Sequence, residues 1–121
     1  MRDFRSLDVW KRAFDFAGEV YGVSKDFPKS EIYALTSQLR RASVSVFSNI
    51  AEGCGRKTNK NSISFMYNAM GSVREVESQL LFAVKIGYLK KERGDELERE
   101  AVEIGKMLMG YIKYINGLCE E

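Results

Sequence analysis

The stretch that decides the fold is RRASVSVFSNIAEGCGR, residues 40–56. The apolar positions in and just before it recur every three or four residues: Leu39, Ala42, Val46 and Ile50. This spacing places them on one face of an α-helix. Gly53 and Gly55 close the stretch, and glycine just past a helix favours the left-handed C-cap conformation. The pattern predicts a helix that ends near Gly53, with a cap formed by these two glycines.

A first helix is predicted upstream of this stretch. Five residues share its expected inward face: Leu7, Trp10, Phe14, Ala17 and Tyr21. Pro28 stops that helix, and Ser30 is the expected N-cap of the second helix, which then begins near Glu31. The inward face of the second helix therefore also includes Ile32 and Leu35.

Two further helices are predicted downstream. The third is capped by Asn59 or Asn61, extends to Gly87 and has the inward residues Met66, Ala69, Val73, Val76, Leu80 and Ala83. The fourth begins near Lys91 and alternates steps of four and three through Leu97, Ala101, Ile104, Leu108, Tyr111, Ile115 and Leu118. Short loops between long amphipathic helices place sequence neighbours antiparallel. The expected fold is all-α, an antiparallel up-down-up-down four-helix bundle formed by residues 1–121 as one domain.

Composition favours a helical protein that does not span a membrane. Apolar residues make up 45% of the 121 positions and charged residues 30%, with a single proline. No apolar run approaches the roughly 20 residues that span a bilayer, and the N-terminus lacks a secretory signal. We therefore expect a cytoplasmic protein.

Catalytic and metal-binding residues are scarce. The sequence has no histidine, the commonest general base and transition-metal ligand. Cys54 and Cys119 are far apart and fit small buried or half-exposed thiols better than a metal or redox motif. A carboxylate metal cluster of Glu52, Glu75 and Glu77 is less favoured than Arg–Glu pairs between helices. We predict no catalytic residue, no metal and no cofactor.

Positive charge is concentrated in the middle segment. Six basic and two acidic residues lie between positions 28 and 60, whereas the whole chain carries a formal charge of +2. A basic excess suits an anionic partner such as RNA or DNA, although a solvated basic face needs no partner. The candidates for nucleic-acid contacts are Arg40, Arg56, Lys57 and Lys60, with Lys11 and Arg12 as additions.

The second predicted helix carries unusual side chains on both flanks of its inward face. At about 100° per residue, Tyr33, Val44 and Phe47 lie on one flank with Arg40, away from the core. The other flank has polar residues at helical spacing. This pattern predicts that a second subunit covers the helix; scattered exposed apolar residues are the alternative. The predicted subunit-interface residues are Arg41, Val44, Ser45, Phe47, Asn49 and Glu52.

Three segments resemble a known bacterial family of four-helix bundles. They are FRSLDVWKRA (4–13), FPKSEIYALTSQLRRASVSVFSNIAEGCGR (27–56) and NAMGSVREVESQLLFAVKIGYL (68–89). The family is named for proteins encoded in intervening sequences of 23S ribosomal RNA genes. Its most specific motif, Q-L-R-R-A followed by S-N-I-A-E-G and G-R, occurs here at 38–42, 48–53 and 55–56. Phe47 stands where the family commonly has proline.

The resemblance implies a bundle that assembles into a barrel-like homopentamer without known catalytic activity. The family also includes the accessory variability determinant proteins of diversity-generating retroelements, which form basic pentamers and associate with a reverse transcriptase and nucleic acid. This chain is compatible with either branch.

Two functional hypotheses follow from the residues and the resemblance together. In the first, the protein is a non-enzymatic homo-oligomer, pentameric by resemblance, whose basic surface binds RNA or DNA. In the second, it is a structural scaffold that docks a protein such as a retroelement reverse transcriptase. An enzyme is least favoured, because no nucleophile–base pair or metal set can be assembled from these residues.

Overall fold

A computed structural model of the protein describes the backbone of residues 2–120 and the side chains of residues 2–118. The expectation for the Cys119 thiol therefore lies outside the described residues. The four α-helices are α1 (Asp8–Ser24), α2 (Leu35–Cys54), α3 (Asn59–Lys85) and α4 (Lys91–Glu120). Short 3-10 helices cover Phe4–Ser6 and Lys29–Glu31, and the described chain contains no strand. The predicted all-α four-helix architecture is confirmed.

Contacts between neighbouring helices run in opposite chain directions. Phe47 of α2 packs against Phe14, with ring centroids 5.2 Å apart, and Arg40, earlier in α2, lies over Tyr21, later in α1. The same reversal is seen in the other three helix pairs. Between α2 and α3, Ser45 contacts Ser72 and Gly53 lies beside Met66. Between α3 and α4, Val73 lies beside Gly105 and Val84 beside Gly94, and between α1 and α4, Arg12 pairs with Glu100 and Glu19 with Arg93. The helices therefore form a closed ring of antiparallel neighbours.

The predicted inward faces of α3 and α4 form about half of the core. All six predicted residues of α3 are buried, as are Leu97, Ala101, Ile104, Leu108 and Ile115 of α4. Ile112 is also fully buried, although it was not predicted, while Tyr111 is only half-buried. A strict alternation of four and three has a period of 3.5, whereas a straight helix has 3.6 residues per turn. The buried face therefore drifts along the helix and reaches Ile112.

The prediction for the inward face of α1 was largely wrong. The buried residues of this helix are Val9, Ala13, Phe16, Ala17, Val20 and Ser24. Phe14 is 49% exposed and Tyr21 41% exposed. Both sides of α1 carry apolar residues at helical spacing, and the side with small alanines approaches the core while the larger rings pack sideways against α2. Only Ala17 of the predicted set is fully buried.

The start of α2 also differs from the prediction. Ser30 lies within the 3-10 helix, and α2 begins at Leu35 instead of near Glu31. Ile32 is consequently exposed, whereas Leu39, Ala42, Val46 and Ile50 are buried as predicted. The Glu31 side chain instead accepts hydrogen bonds from the Leu35 amide and the Tyr88 hydroxyl. These contacts hold the segment before α2 against the loop between α3 and α4.

The predicted caps around the loop between α2 and α3 were correct only in part. The helix α2 ends at Cys54, next to the predicted Gly53, and Gly55 is its C-cap residue, but its φ is −88° and not left-handed. Gly53 is buried inside α2, where a Cβ atom would lie 2.7 Å from Met66 Cε. The left-handed glycine in the described chain is Gly87, with φ 82°. Thr58 caps α3, because its hydroxyl accepts the Asn61 amide at 3.1 Å. Close packing of helices, and not a turn, explains the glycine at position 53.

No described helix is long and apolar enough to cross a membrane.

Candidate nucleic-acid interface

The N-terminal segment lies across the end of the bundle where α2 passes into α3. The Arg2 amide donates a hydrogen bond to the Cys54 carbonyl at 3.2 Å. Its guanidinium donates to the Tyr114 hydroxyl at 3.1 Å and lies 4.9 Å from the centre of that ring. The hydrogen bond to Tyr114 raises the pKa of Arg2, so this side chain is a fixed positive charge. Residue 2 thus joins the end of α2 to the C-terminal part of α4.

A small cavity of about 60 Å³ lies at this end, and three cations line it. Arg2 comes from the N-terminus, and Arg56 and Lys57 come from the loop between α2 and α3. Asn59, Ser62 and Tyr111 contribute neutral polar groups to the same cavity. Among the described residues that line it, there is no carboxylate. We call this end, with Arg2, Arg56, Lys57 and the nearby Lys60, the basic end.

The cations of the basic end differ in how they are held. Arg56 donates to Glu52 at 2.7 Å, and its guanidinium lies 4.4 Å from the centre of the Phe65 ring. Lys57 and Lys60 are exposed, and neither forms an ion pair with a described residue. The two lysines are therefore available to phosphate groups, whereas Arg56 is positioned by neighbours that limit its motion.

The other predicted nucleic-acid residues lie elsewhere. Arg40 donates to Ser24 Oγ at 2.8 Å and stacks over Tyr21, so it ties α2 to α1. Arg12 pairs with Glu100, with Nε 3.1 Å from Oε2, and so ties α1 to α4. Lys11 is exposed on α1. The six candidates thus occupy separate places, and only Arg56, Lys57 and Lys60 belong to the basic end.

The six predicted interface residues are also divided. Ser45 accepts from Ser72 Oγ at 2.8 Å, a hydrogen bond that joins α2 to α3. Asn49 Nδ2 donates to Ser45 Oγ at 3.0 Å within α2. Phe47 does not point away from the subunit as expected: it is half-buried against Trp10 and Phe14. The reason is that α1 covers this flank of α2.

The remaining predicted interface residues face outward or nearly so. Arg41 and Glu52 are exposed and Val44 is half-buried. The assignment of all six residues to a subunit contact stays a prediction.

An open groove of about 510 Å³ runs between α1 and α2 beside the basic end. Its lining combines aromatic rings with short or charged side chains: Phe4, Trp10, Phe47, Ser48, Ala51, Glu52 and Arg56. The Trp10 Nε1 atom is buried without a hydrogen-bond partner in the described structure. The groove leaves a half-exposed aromatic surface on the outer side of the bundle.

Two titratable groups near the basic end, the Cys54 thiol and the Tyr111 hydroxyl, are held in their neutral forms. Burial raises the pKa of the Cys54 thiol and of the Tyr111 hydroxyl.

No group of three or more His, Cys, Asp or Glu side chains in the described chain is placed to hold a metal ion.

The sequence alone did not indicate Arg2, Tyr111 or Tyr114 as members of this site. Arg2 and Arg56 are separated by more than 50 positions, and Tyr111 was assigned to the core by its spacing. Their joint position depends on the path of the N-terminal segment across the end of the bundle. The only sequence feature that points to Arg2 is that two arginines, Arg2 and Arg5, precede the first helix.

These features define an all-α four-helix bundle with a basic end formed by the N-terminus, one loop and the last turns of α4. Residues 5–110 match the family of 23S rRNA-intervening sequence proteins, and the chain belongs to that family. The fold is similar to the crystal structure of a protein with unknown function from the S23 ribosomal protein family of Bacteroides thetaiotaomicron VPI-5482. The TM-score is 0.81 at 22% identity, covering 87% of this chain and 98% of that one. No curated protein is significantly similar in sequence.

Proposed function

We propose that the protein is a non-enzymatic homo-oligomer that binds RNA or DNA through its basic end. The observation that carries this proposal is the convergence of Arg2, Arg56 and Lys57 on one cavity without an opposing carboxylate in its described lining. Arg56 is already paired with Glu52, whereas Arg2 and Lys57 form no ion pair with a described residue, so an anionic partner would stabilise their charges. The neighbouring Lys60 extends the positive surface along the first turn of α3.

Oligomerisation multiplies this weak charge. One chain is nearly neutral, but several copies on a ring present several basic ends to one nucleic acid. Phosphate contacts release counterions, and linked sites raise the apparent affinity beyond that of one subunit. The pentamer implied by the family resemblance is the assembly that we favour.

Salt dependence tests the nucleic-acid proposal directly. Labelled single-stranded RNA and DNA are titrated with the protein at several salt concentrations, and the affinity should fall steeply as salt rises. Lys57→Gln should reduce the salt slope by about one for each basic end engaged. Lys106→Gln, an exposed lysine of α4 away from the basic end, is the matched control and should leave the slope unchanged. Binding without salt dependence would contradict the proposal.

The subunit contact is proposed to lie on the outer side of α2, next to the aromatic groove. Ser48 is exposed there and lines the groove with Phe47 and Ala51. Ser48→Glu places a charge on this surface without removing an internal contact, so it should lower the solution mass measured by light scattering. Asn68→Glu, exposed on α3, is the control. A wild-type monomer would overturn the oligomer and the multiplied charge together.

A second candidate function is a scaffold that docks another protein. One observation favours it: Leu81, Phe82 and Ile86 near the end of α3 are all large apolar side chains with 38–60% exposure. An exposed apolar cluster of this kind is typical of protein contact sites. Binding of a reverse transcriptase that survives high salt and is lost in Phe82→Ser would favour this function over nucleic-acid binding.

A further inference from the structure

The cavity at the basic end is unlike the other surface depressions of the molecule. It measures about 60 Å³, compared with about 510 Å³ for the aromatic groove. On this measure about 10–15 Å³ holds one water molecule, so the cavity has room for a few water molecules or one small polyatomic ion. Its size and its three cations together indicate an oxyanion.

A serine side chain in the cavity supports the same ligand. Ser62 is only 9% exposed and lines the cavity. A serine hydroxyl can donate a hydrogen bond. An anion in the cavity would accept that hydrogen bond.

The start of α3 contributes further positive potential. Thr58 satisfies the Asn61 amide, and Asn59 in the same first turn lines the cavity. The first amides of a helix lack intrahelical partners and carry part of the positive end of the helix dipole. The positive end of the α3 dipole lies in this first turn and therefore adds to the field of the three cations.

We propose that this cavity binds the terminal phosphate monoester of a nucleic-acid strand. The inference rests on the proposed nucleic-acid binding and names the part of the strand that is recognised. A phosphodiester within a strand has a sugar on both sides, so two sugars have to be accommodated beside the cavity. A terminal phosphate has one ester link, so the strand can leave along Lys57 and Lys60 towards solvent.

Charge also distinguishes the two kinds of phosphate. A phosphate monoester carries a charge of about −1.5 to −2 at neutral pH, because its second pKa is near 6. A phosphodiester carries a single negative charge. The cations Arg2, Arg56 and Lys57 therefore favour the monoester, and Tyr111, whose pKa is raised by burial, remains a neutral hydroxyl donor.

The experiment compares two versions of one short single-stranded RNA, with a 5′-phosphate or a 5′-hydroxyl, by fluorescence anisotropy with the full-length protein. We expect the phosphorylated RNA to bind at least about tenfold more tightly, the effect of one or two charge-assisted hydrogen bonds. Ser62→Ala and Arg2→Gln should remove most of this preference. Lys60→Gln, outside the cavity, should weaken both RNAs equally and keep the preference. Circular dichroism checks that each variant is folded.

Inorganic phosphate and a 5′-mononucleotide, titrated by calorimetry, separate the possible sources of the phosphate. Equal affinity for both RNAs would overturn the inference and leave the proposed nucleic-acid binding intact. A third outcome is that inorganic phosphate or the mononucleotide binds, that Arg2→Gln abolishes this binding, and that neither RNA binds. This outcome would overturn both the strand end as the ligand and the proposed function. A phosphate preference that persists in both Ser62→Ala and Arg2→Gln would place recognition outside the cavity and overturn the inference.

Discussion

The contact between α3 and α4 and the contact between α1 and α2 are built from different residues. The first is aliphatic and closed: Val73, Leu80, Ile104 and Leu108 are almost completely buried. The second is aromatic and half open, with a stacked pair of Trp10 and Phe14 rings 4.7 Å apart and Phe47 packed edge-on against them. The difference indicates that the α3–α4 contact stabilises the bundle more than the α1–α2 contact, and that α1 and α2 leave apolar surface exposed.

Glycines show the same contrast. A Cβ atom on Gly94 of α4 would lie 2.5 Å from Val84 Cγ2, so the backbone of α4 approaches α3 closely. Outside α1 itself, no described atom lies within 4 Å of a Cβ placed on Gly18 or Gly22. Close packing against α3 therefore explains Gly94, as it explains Gly53 of α2, whereas the glycines of α1 lie against no described neighbour.

The largest expected effect is that of removing a core side chain from the closed contact. Leu80→Ala should lower the free energy of unfolding by about 2–5 kcal/mol, because Leu80 is fully buried and a cavity remains. Phe14→Ala in the open contact removes a larger side chain that is half exposed, and should cost only about 1–2 kcal/mol. Chemical denaturation measures both. A greater loss for Phe14→Ala would reverse the assignment of stability to α3 and α4.

Glycine substitutions should have opposite signs in the two contacts. Gly94→Ala should destabilise by about 1–3 kcal/mol, since the β-branched Val84 cannot move aside without strain. Gly18→Ala should stabilise by about 0.5–1 kcal/mol, because alanine is the better helix former and meets open space. The two midpoints of thermal unfolding should shift in opposite directions. Shifts of the same sign would show that the two contacts do not differ in closeness.

A carboxylate introduces pH dependence into the closed contact. Burial raises the pKa of Glu98 to about 7, with added repulsion from Glu77 and Asp95, and its Oε1 atom has no described hydrogen-bond partner. A raised carboxyl pKa means that the folded state binds the proton more tightly. Its contribution to stability is therefore present below about pH 4.5 and is lost as the pH rises to about 7.

Glu98→Gln should remove this loss and make the protein more stable than wild type above pH 7. We expect a gain of about 1 kcal/mol, less than the full pKa shift implies, because the side chain is partly exposed to solvent. Denaturation at pH 5 and pH 8 measures it. Glu96→Gln, exposed on the same helix, is the control and should keep the wild-type pH dependence. Equal stability of Glu98→Gln and wild type at pH 8 would argue against a buried charge.

The smallest effect is expected for the ion pair that joins α1 to α4. Arg12 and Glu100 are partly exposed, so a double-mutant cycle with alanine at both positions should give a coupling of about 0.2–1 kcal/mol. Added salt should reduce it. A coupling above about 2 kcal/mol would mean that α1 is held by this pair more than by its buried face.

Periodicity predicted α3 and α4 better than α1. A single apolar stripe on a helix, as in Met66 to Ala83, leaves one choice for the inward side, and that choice was correct. In α1 the predicted stripe from Leu7 to Tyr21 and the buried set from Val9 to Ser24 both have helical spacing, and the predicted stripe contained the larger rings. The buried side was set by how closely a neighbouring helix can approach, which small side chains permit. Periodicity carries no information about that distance.

The candidate site was predicted in part. A local excess of basic residues indicated Arg56, Lys57 and Lys60, which do lie at one end of the bundle. The same excess also indicated Arg40, whose guanidinium is engaged by Ser24 and Tyr21. Counting charges does not distinguish a cation facing solvent from one paired within the subunit. Nucleic-acid binding, the pentamer and a cytoplasmic location stay predictions.

The sequence by itself determined the helical class, the four helices and the family, because these depend on local spacing and on motifs contiguous in the chain. Tertiary structure alone decided that Arg2 joins Arg56 and Lys57 around one cavity, and that Ser62 lines it. That arrangement depends on the N-terminal segment bonding to Cys54 and Tyr114, residues 52 and 112 positions away. Contacts between such distant positions form only when the helices pack, and no local pattern encodes them.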